Sequence, residues 1–214
     1  QNSESKTVVA EGGASIQEFE LQATDYDNDR HFFLGQYFID NYANSLKNYP
    51  LINSQINITK VEVWITNRQA STEDFRNIVA IADLAEAQNI DTTNPLNTIV
   101  TFGGQDPRNE GNDLSNIMVT PQAVREIATV GNGLSTYGLA QGTGYSVLES
   151  ARRLQPSEYK VHPQLGYISL NRRLAESDVL AVAYEYTVTG STTVYKVGEL
   201  TSDGIIAPDN LVVK

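Results

Sequence analysis

Two stretches near the first third of the chain constrain its fold more than anything else. Asn57–Arg68 contains Ile58-Thr59-Lys60-Val61-Glu62-Val63-Trp64-Ile65-Thr66. From Lys60 on it alternates: Val61, Val63 and Ile65 on one face, Lys60, Glu62 and Thr66 on the other. A period of two marks a half-buried strand. Arg76–Ala85 follows, and its Ile78-Val79-Ala80-Ile81-Ala82 is apolar on both faces. A short apolar run without alternation suits a central strand covered on both sides. The link Gln69–Phe75 is polar and reads as a solvated loop. Trp64, the only tryptophan, falls in phase with the polar side chains. It either packs under a crossing loop or marks a contact surface.

The remaining strands gather at the other end. Tyr159–His162 and Tyr167–Leu170 flank a Pro163–Gly166 turn and make a hairpin. Val179–Val188 is the longest strand, with Leu180, Val182, Tyr184, Tyr186 and Val188 on one face. Gly190-Ser191 turns it into Thr193–Val197. Weaker strand signals lie at Thr7–Ala10 and Ser15–Leu21. His31–Phe38 reads as a strand or the start of a helix, and Asp40–Lys47 as helical. Between the strand-rich ends runs an excursion at about 87–158, punctuated by Asn-Pro, Gly-Gly and Asp-Pro. Inside it, Thr120-Pro121 is a helix start with Val124, Ile127 and Ala128 on one face. Gly131–Gly144 holds five glycines and reads as a mobile linker. Ser146-x-x-Glu149 matches a capping box, with Val147, Leu148, Ala151 and Leu154 as the apolar stripe of a second helix ended by Pro156. The expected fold is mainly β, in the α+β class: one β-sandwich-like domain over residues 1–214 with inserted short helices.

The chemistry is sparse. Asp25–Arg30 alternates three aspartates, but an EF-hand wants Gly and Glu where Arg30 and Gln36 stand. A turn whose Asp and Asn side chains bond their own backbone is the plainer reading. Tyr26, Asp27 and Arg30 join Trp64 as candidate contact residues. His31 and His162 stand in no metal-ligand pattern. No nucleophile elbow or complete phosphate loop is present, so no catalytic residue, metal site or cofactor is expected, and the chain does not read as an enzyme. A net charge of −11 argues against nucleic acid and against anionic lipid surfaces. The absence of cysteine removes disulfides and thiolate sites. Tyr-rich strands leave open a carbohydrate-binding β-sandwich of a cell-surface protein. A glycoside hydrolase fragment, with two convergent carboxylates, is a more distant alternative. The chain opens on Gln1 and stops after an apolar run, which suggests a piece of a much larger protein.

Three stretches together resemble one family. They are YDNDRHFFLGQYF (Tyr26–Phe38), ITKVEVWITNR with RNIVAIADLAE (Ile58–Arg68 and Arg76–Glu86), and LQPSEYKVHPQLGYISLNRRLAESDVLAVAYEY (Leu154–Tyr186). They are similar to the SprA/Sov family, the outer-membrane translocon of the type IX secretion system in Bacteroidota, tied in many members to gliding motility. The resemblance implies a non-barrel domain of a very large β-barrel that exports folded cargo. It implies other outer-membrane and periplasmic secretion subunits and secreted cargo as partners. It implies membrane association through the parent barrel rather than through this domain; the domain is expected on the cell-surface side, with the periplasmic side as the alternative. It supplies no catalytic residues.

Overall fold

A computed structural model describes residues 27–68, 74–90, 99–102, 106–119 and 122–214. The expected strands Thr7–Ala10 and Ser15–Leu21, Tyr26, and the helix start Thr120-Pro121 lie outside these residues. Among the described residues the order is β1 (His31–Phe33), α1 (Gln36–Leu46), β2 (Ile56–Ile65), β3 (Phe75–Ile81), α2 (Ser115–Val119), α3 (Gln122–Arg125) and α4 (Val130–Ser135). Then come β4 (Tyr145–Arg153), β5 (Tyr159–His162), β6 (Tyr167–Leu170), β7 (Leu180–Val188), β8 (Val194–Val197) and β9 (Leu211–Val213). The fold is mainly β with few, short helices.

Six strands form one sheet in the order β8-β7-β2-β4-β3-β9, and β1-β6-β5 form a second. The two central strands expected from the sequence are both present. They are not neighbours: β4 lies between them. The apolar faces fall as the alternation requires. Val63, Val79, Val182, Tyr184 and Tyr186 join a large core that also takes Ile168 and Leu170 of the small sheet and Phe38 of α1. Trp64, Ile78, Ala80, Leu148, Ala151, Ala181 and Ala183 line the opposite face. That face is covered by the segment running from β8 to β9, which contributes Leu200 and Ile205. A run apolar on both faces, such as β3, therefore sits between two buried layers.

The strand β4 corrects the expectation of a helix. Ser146–Leu154 carries a capping box and a helical stripe, yet Tyr145–Arg153 is extended. The cause is a bulge. Between the pairs Arg76↔Ala151 and Ile78↔Leu148, β4 spends three residues where β3 spends two. Ser150 takes a left-handed φ of 52° there, and its N–H donates to Asn77 Oδ1 at 2.9 Å. The extra residue puts Leu148 and Ala151 on one face of a strand at a spacing that mimics a helix turn. Placement between two strands overrides local propensity. The excursion from the sheet consequently ends at Tyr145 instead of near residue 158.

Two smaller corrections concern the helices. Residues 131–144 are not a featureless linker: Val130–Ser135 is helical, and Leu134 and Leu139 are buried. Gly133 is needed because a Cβ there would lie 2.8 Å from the Ala123 Cβ, so the glycine lets α3 and α4 approach. The helix expected to carry Val124, Ile127 and Ala128 stops at Arg125. The stretch His31–Phe38, read as a strand or the start of a helix, holds both: β1 ends at Phe33 and α1 starts at Gln36.

Strand β9 closes the sheet. It pairs in parallel with β3. On its other side Lys214 N–H donates to Val182 O at 2.9 Å, and Val182 N–H donates back to Lys214 O at 2.6 Å. Glu199 N–H donates to Val212 O at 2.8 Å. The strand at the end of the sheet's order is thus bonded on both flanks, which removes an open edge.

Candidate functional site

The described side chains that gather the most chemistry lie where three segments meet. The end of β2 brings Ile65 and Arg68. The end of β4 and its link to β5 bring Arg152, Leu154, Ser157 and Glu158. The link from β6 to β7 brings Arg172, Arg173, Leu174 and Asp178. Together they line a groove of about 560 Å³. Its floor is aliphatic (Ile65, Leu154, Leu170 and Leu174), and Leu154 and Leu170 are buried. Four guanidinium groups and two carboxylates line it, a surplus of positive charge in a chain of net charge −11.

Backbone bonds hold the walls in place. Asn171 N–H donates to Glu158 O at 2.9 Å, and its side chain donates to Ser157 O at 2.6 Å. Thr66 N–H donates to Val179 O at 3.2 Å, while the Thr66 hydroxyl accepts from Val179 N–H at 3.0 Å. Three of the arginines are engaged. Arg152 makes a two-pronged contact with Glu158, at 2.7 and 3.1 Å. That contact, more than any other, holds the Glu158 carboxyl below its ordinary range. Arg68 bonds Asp178 and the Ser177 hydroxyl. Arg173 reaches Asp29 at 3.4 Å and donates to Asn28 O at 3.2 Å. Arg172 is exposed and has no hydrogen-bond or ion-pair partner among the described residues. Its charge acts on Glu158 only across space. A planar guanidinium with open donors beside an apolar floor is fitted to a carboxylate.

The contact residues expected from the sequence divide. Neither Asp27 nor Arg30 lines this groove; Arg30 adjoins its wall through its backbone carbonyl, and Asp27 is reached through Arg30. They pair with each other at 3.3 Å, Leu170 N–H donates to Arg30 O, and Leu174 N–H donates to Asp29 O, both at 2.8 Å. The acidic loop is a turn clamped against the groove wall. Trp64 is 1% exposed and packs under the segment from β8 to β9, with the Arg153 guanidinium 6.0 Å from its ring. It is a core residue and presents no contact surface. The four arginines were missed. The signal that could have found three of them was two Arg-Arg pairs, Arg152-Arg153 and Arg172-Arg173, in an acidic chain; Arg68 stands alone between Asn67 and Gln69 and carried no such signal.

The two histidines prove close to one tyrosine. His162 stacks on Tyr167 with centroids 4.1 Å apart, and His31 meets the same ring edge-on at 6.4 Å. Burial, then the nearby Lys160 charge, pushes the His162 pKa down. His31 Nδ1 lies 2.9 Å from the Ser169 hydroxyl. Among the described residues no three His, Cys, Asp or Glu side chains form a group able to hold a metal ion. No helix among them is long and apolar enough to cross a membrane.

Compared with known proteins, the chain finds no match among curated sequences. Residues 1–174 match a protein family, SprA_N, described as motility related/secretion protein. That span covers most of the 214 residues and includes both walls of the groove up to Leu174. The chain belongs to the SprA_N family of motility related/secretion proteins.

Proposed function

We propose that the chain is a non-enzymatic structural domain of the outer-membrane protein-export channel of the type IX secretion system, serving protein secretion and gliding motility. The observation that carries this reading is the family match over residues 1–174. The parent protein is a large barrel in the outer membrane, and this domain sits on its cell-surface side. Its partners are other outer-membrane and periplasmic secretion subunits and the cargo in transit.

Surface character supports the reading. Phe33 and Tyr42 touch at 5.3 Å, and both are exposed, as are Ile39, Tyr49 and Leu51 nearby in sequence. A second set, Ile90, Val100 and Phe102, is exposed on the excursion. Apolar side chains left in water on separate segments suit a piece of a larger assembly. A carbohydrate platform finds less support. Tyr184 and Tyr186 are buried, and Tyr167 gives a ring face to His162.

The test is a pull-down of the tagged full-length parent from its own bacterium in mild detergent. Co-purification of outer-membrane partners and secreted cargo with a barrel-sized parent is the expected result. A modest parent that purifies alone and binds a polysaccharide column would overturn it.

A further inference from the structure

We infer that the arginine groove is a docking site for an acidic, extended peptide segment of a protein partner, anchored by Arg172. Three observations converge on that occupant. The first is charge: four arginines against Glu158, Asp178 and the adjoining Asp29 leave one positive charge unmatched, that of Arg172, in an acidic chain. Such a patch attracts carboxylates over short range, while the net charge of −11 repels dense polyanions such as nucleic acid. The second is the open guanidinium. Arg68, Arg152 and Arg173 are engaged by Asp178, Glu158 and Asp29, and those contacts fix the walls. Arg172 alone among the four has no hydrogen-bonded or ion-paired partner among the described residues, so it can take an incoming carboxylate without breaking a contact. The third is the floor. Ile65, Leu154, Leu170 and Leu174 give an aliphatic surface that a free anion would not use. An extended segment has side chains on alternate faces. Aliphatic side chains on one face would meet the floor, and acidic ones on the other would meet the arginine rim.

The chemistry of the groove is independent of the export-channel reading, and the peptide assay and the pull-down can fail separately.

The experiment uses the 214-residue chain and a fluorescein-labelled octapeptide of alternating Glu and Leu, read by fluorescence anisotropy. Saturable binding that weakens as salt is raised is expected. Arg172→Glu should weaken it by about ten-fold or more, the scale for losing a charged hydrogen bond and gaining repulsion. Arg172→Lys should keep part of the affinity. Lys60→Glu, remote from the groove and bonded to Ser202, should leave it unchanged. Circular dichroism confirms that each variant is folded. The idea is overturned if the peptide does not bind, if Arg172→Glu binds as well as the unaltered chain, or if an alternating Lys-Leu peptide or a single-stranded oligonucleotide binds equally.

Discussion

Arg125 and Glu199 meet through two parallel bonds of 2.5 Å, Nη1 to Oε2 and Nη2 to Oε1, with side chains only 11% and 9% exposed. The same carboxylate accepts Val212 N–H at 2.8 Å. Arg125 also donates to Asn210 O at 2.8 Å, and Asn210 returns a side-chain bond to Val124 O at 2.8 Å. One ion pair therefore seats β9 against α3. Replacing Glu199 with Ala strands a buried guanidinium and a backbone N–H. The expected loss is about 3–5 kcal/mol, read from the midpoint of urea unfolding. A loss below about 1 kcal/mol would mean that water reaches the pair.

Gly166 and Gly190 offer a paired test. Both have positive φ, 66° and 84°. A Cβ on Gly166 would fall 1.9 Å from the Phe38 ring, while one on Gly190 meets nothing within 4 Å. Gly190→Ala should cost about 1 kcal/mol, the left-handed penalty alone. Gly166→Ala adds overpacking and should cost roughly 2–3 kcal/mol more. Equal effects on melting temperature would refute the contact with Phe38.

Ser150 carries the bulge of β4 in a left-handed conformation. Ser150→Gly should stabilise the chain by about 1 kcal/mol, because glycine holds that φ without a Cβ clash. Ser150→Val should destabilise by a similar amount or more. Thermal unfolding of the two variants must move in opposite directions for the bulge to stand.

Acid should weaken the groove. Glu158 titrates below its ordinary value of 4.5, chiefly because Arg152 donates to it. Asp74 titrates below 3.8, chiefly through Arg153. A carboxyl whose folded pKa is depressed adds stability that is complete above its unfolded value. That stability disappears as pH falls through the folded one. Melting temperature should hold above about pH 4.5 and fall below it. Glu158→Gln should flatten part of that fall. A profile unchanged by this variant would show that the Arg152 contact carries no weight in water.

The fold was legible wherever one strand face alternates cleanly. Alternation put Val182, Tyr184 and Tyr186 on one face, and the structure buries that face in the core; the hairpin around Pro163–Gly166 was set by its turn. Trp64 under a crossing segment was one of two readings its position allowed. β4 was illegible, because one extra residue at Ser150 turned a period of two into a spacing of three. The groove was illegible for another reason. Arg68, Arg152 and Arg172 come from segments far apart in sequence, and the sheet order that brings them together places β4 between β2 and β3. No local pattern encodes that insertion.

The double bonding of β9 has a mechanical consequence. Tension entering that strand along its length is borne by hydrogen bonds to β3 on one side and to Val182 and Glu199 on the other. Those bonds lie across the pull, so they must fail together rather than open one at a time like a zip. A strand clamped in this way resists shear as an anchor does, and it is the Arg125–Glu199 pair that keeps the anchor seated.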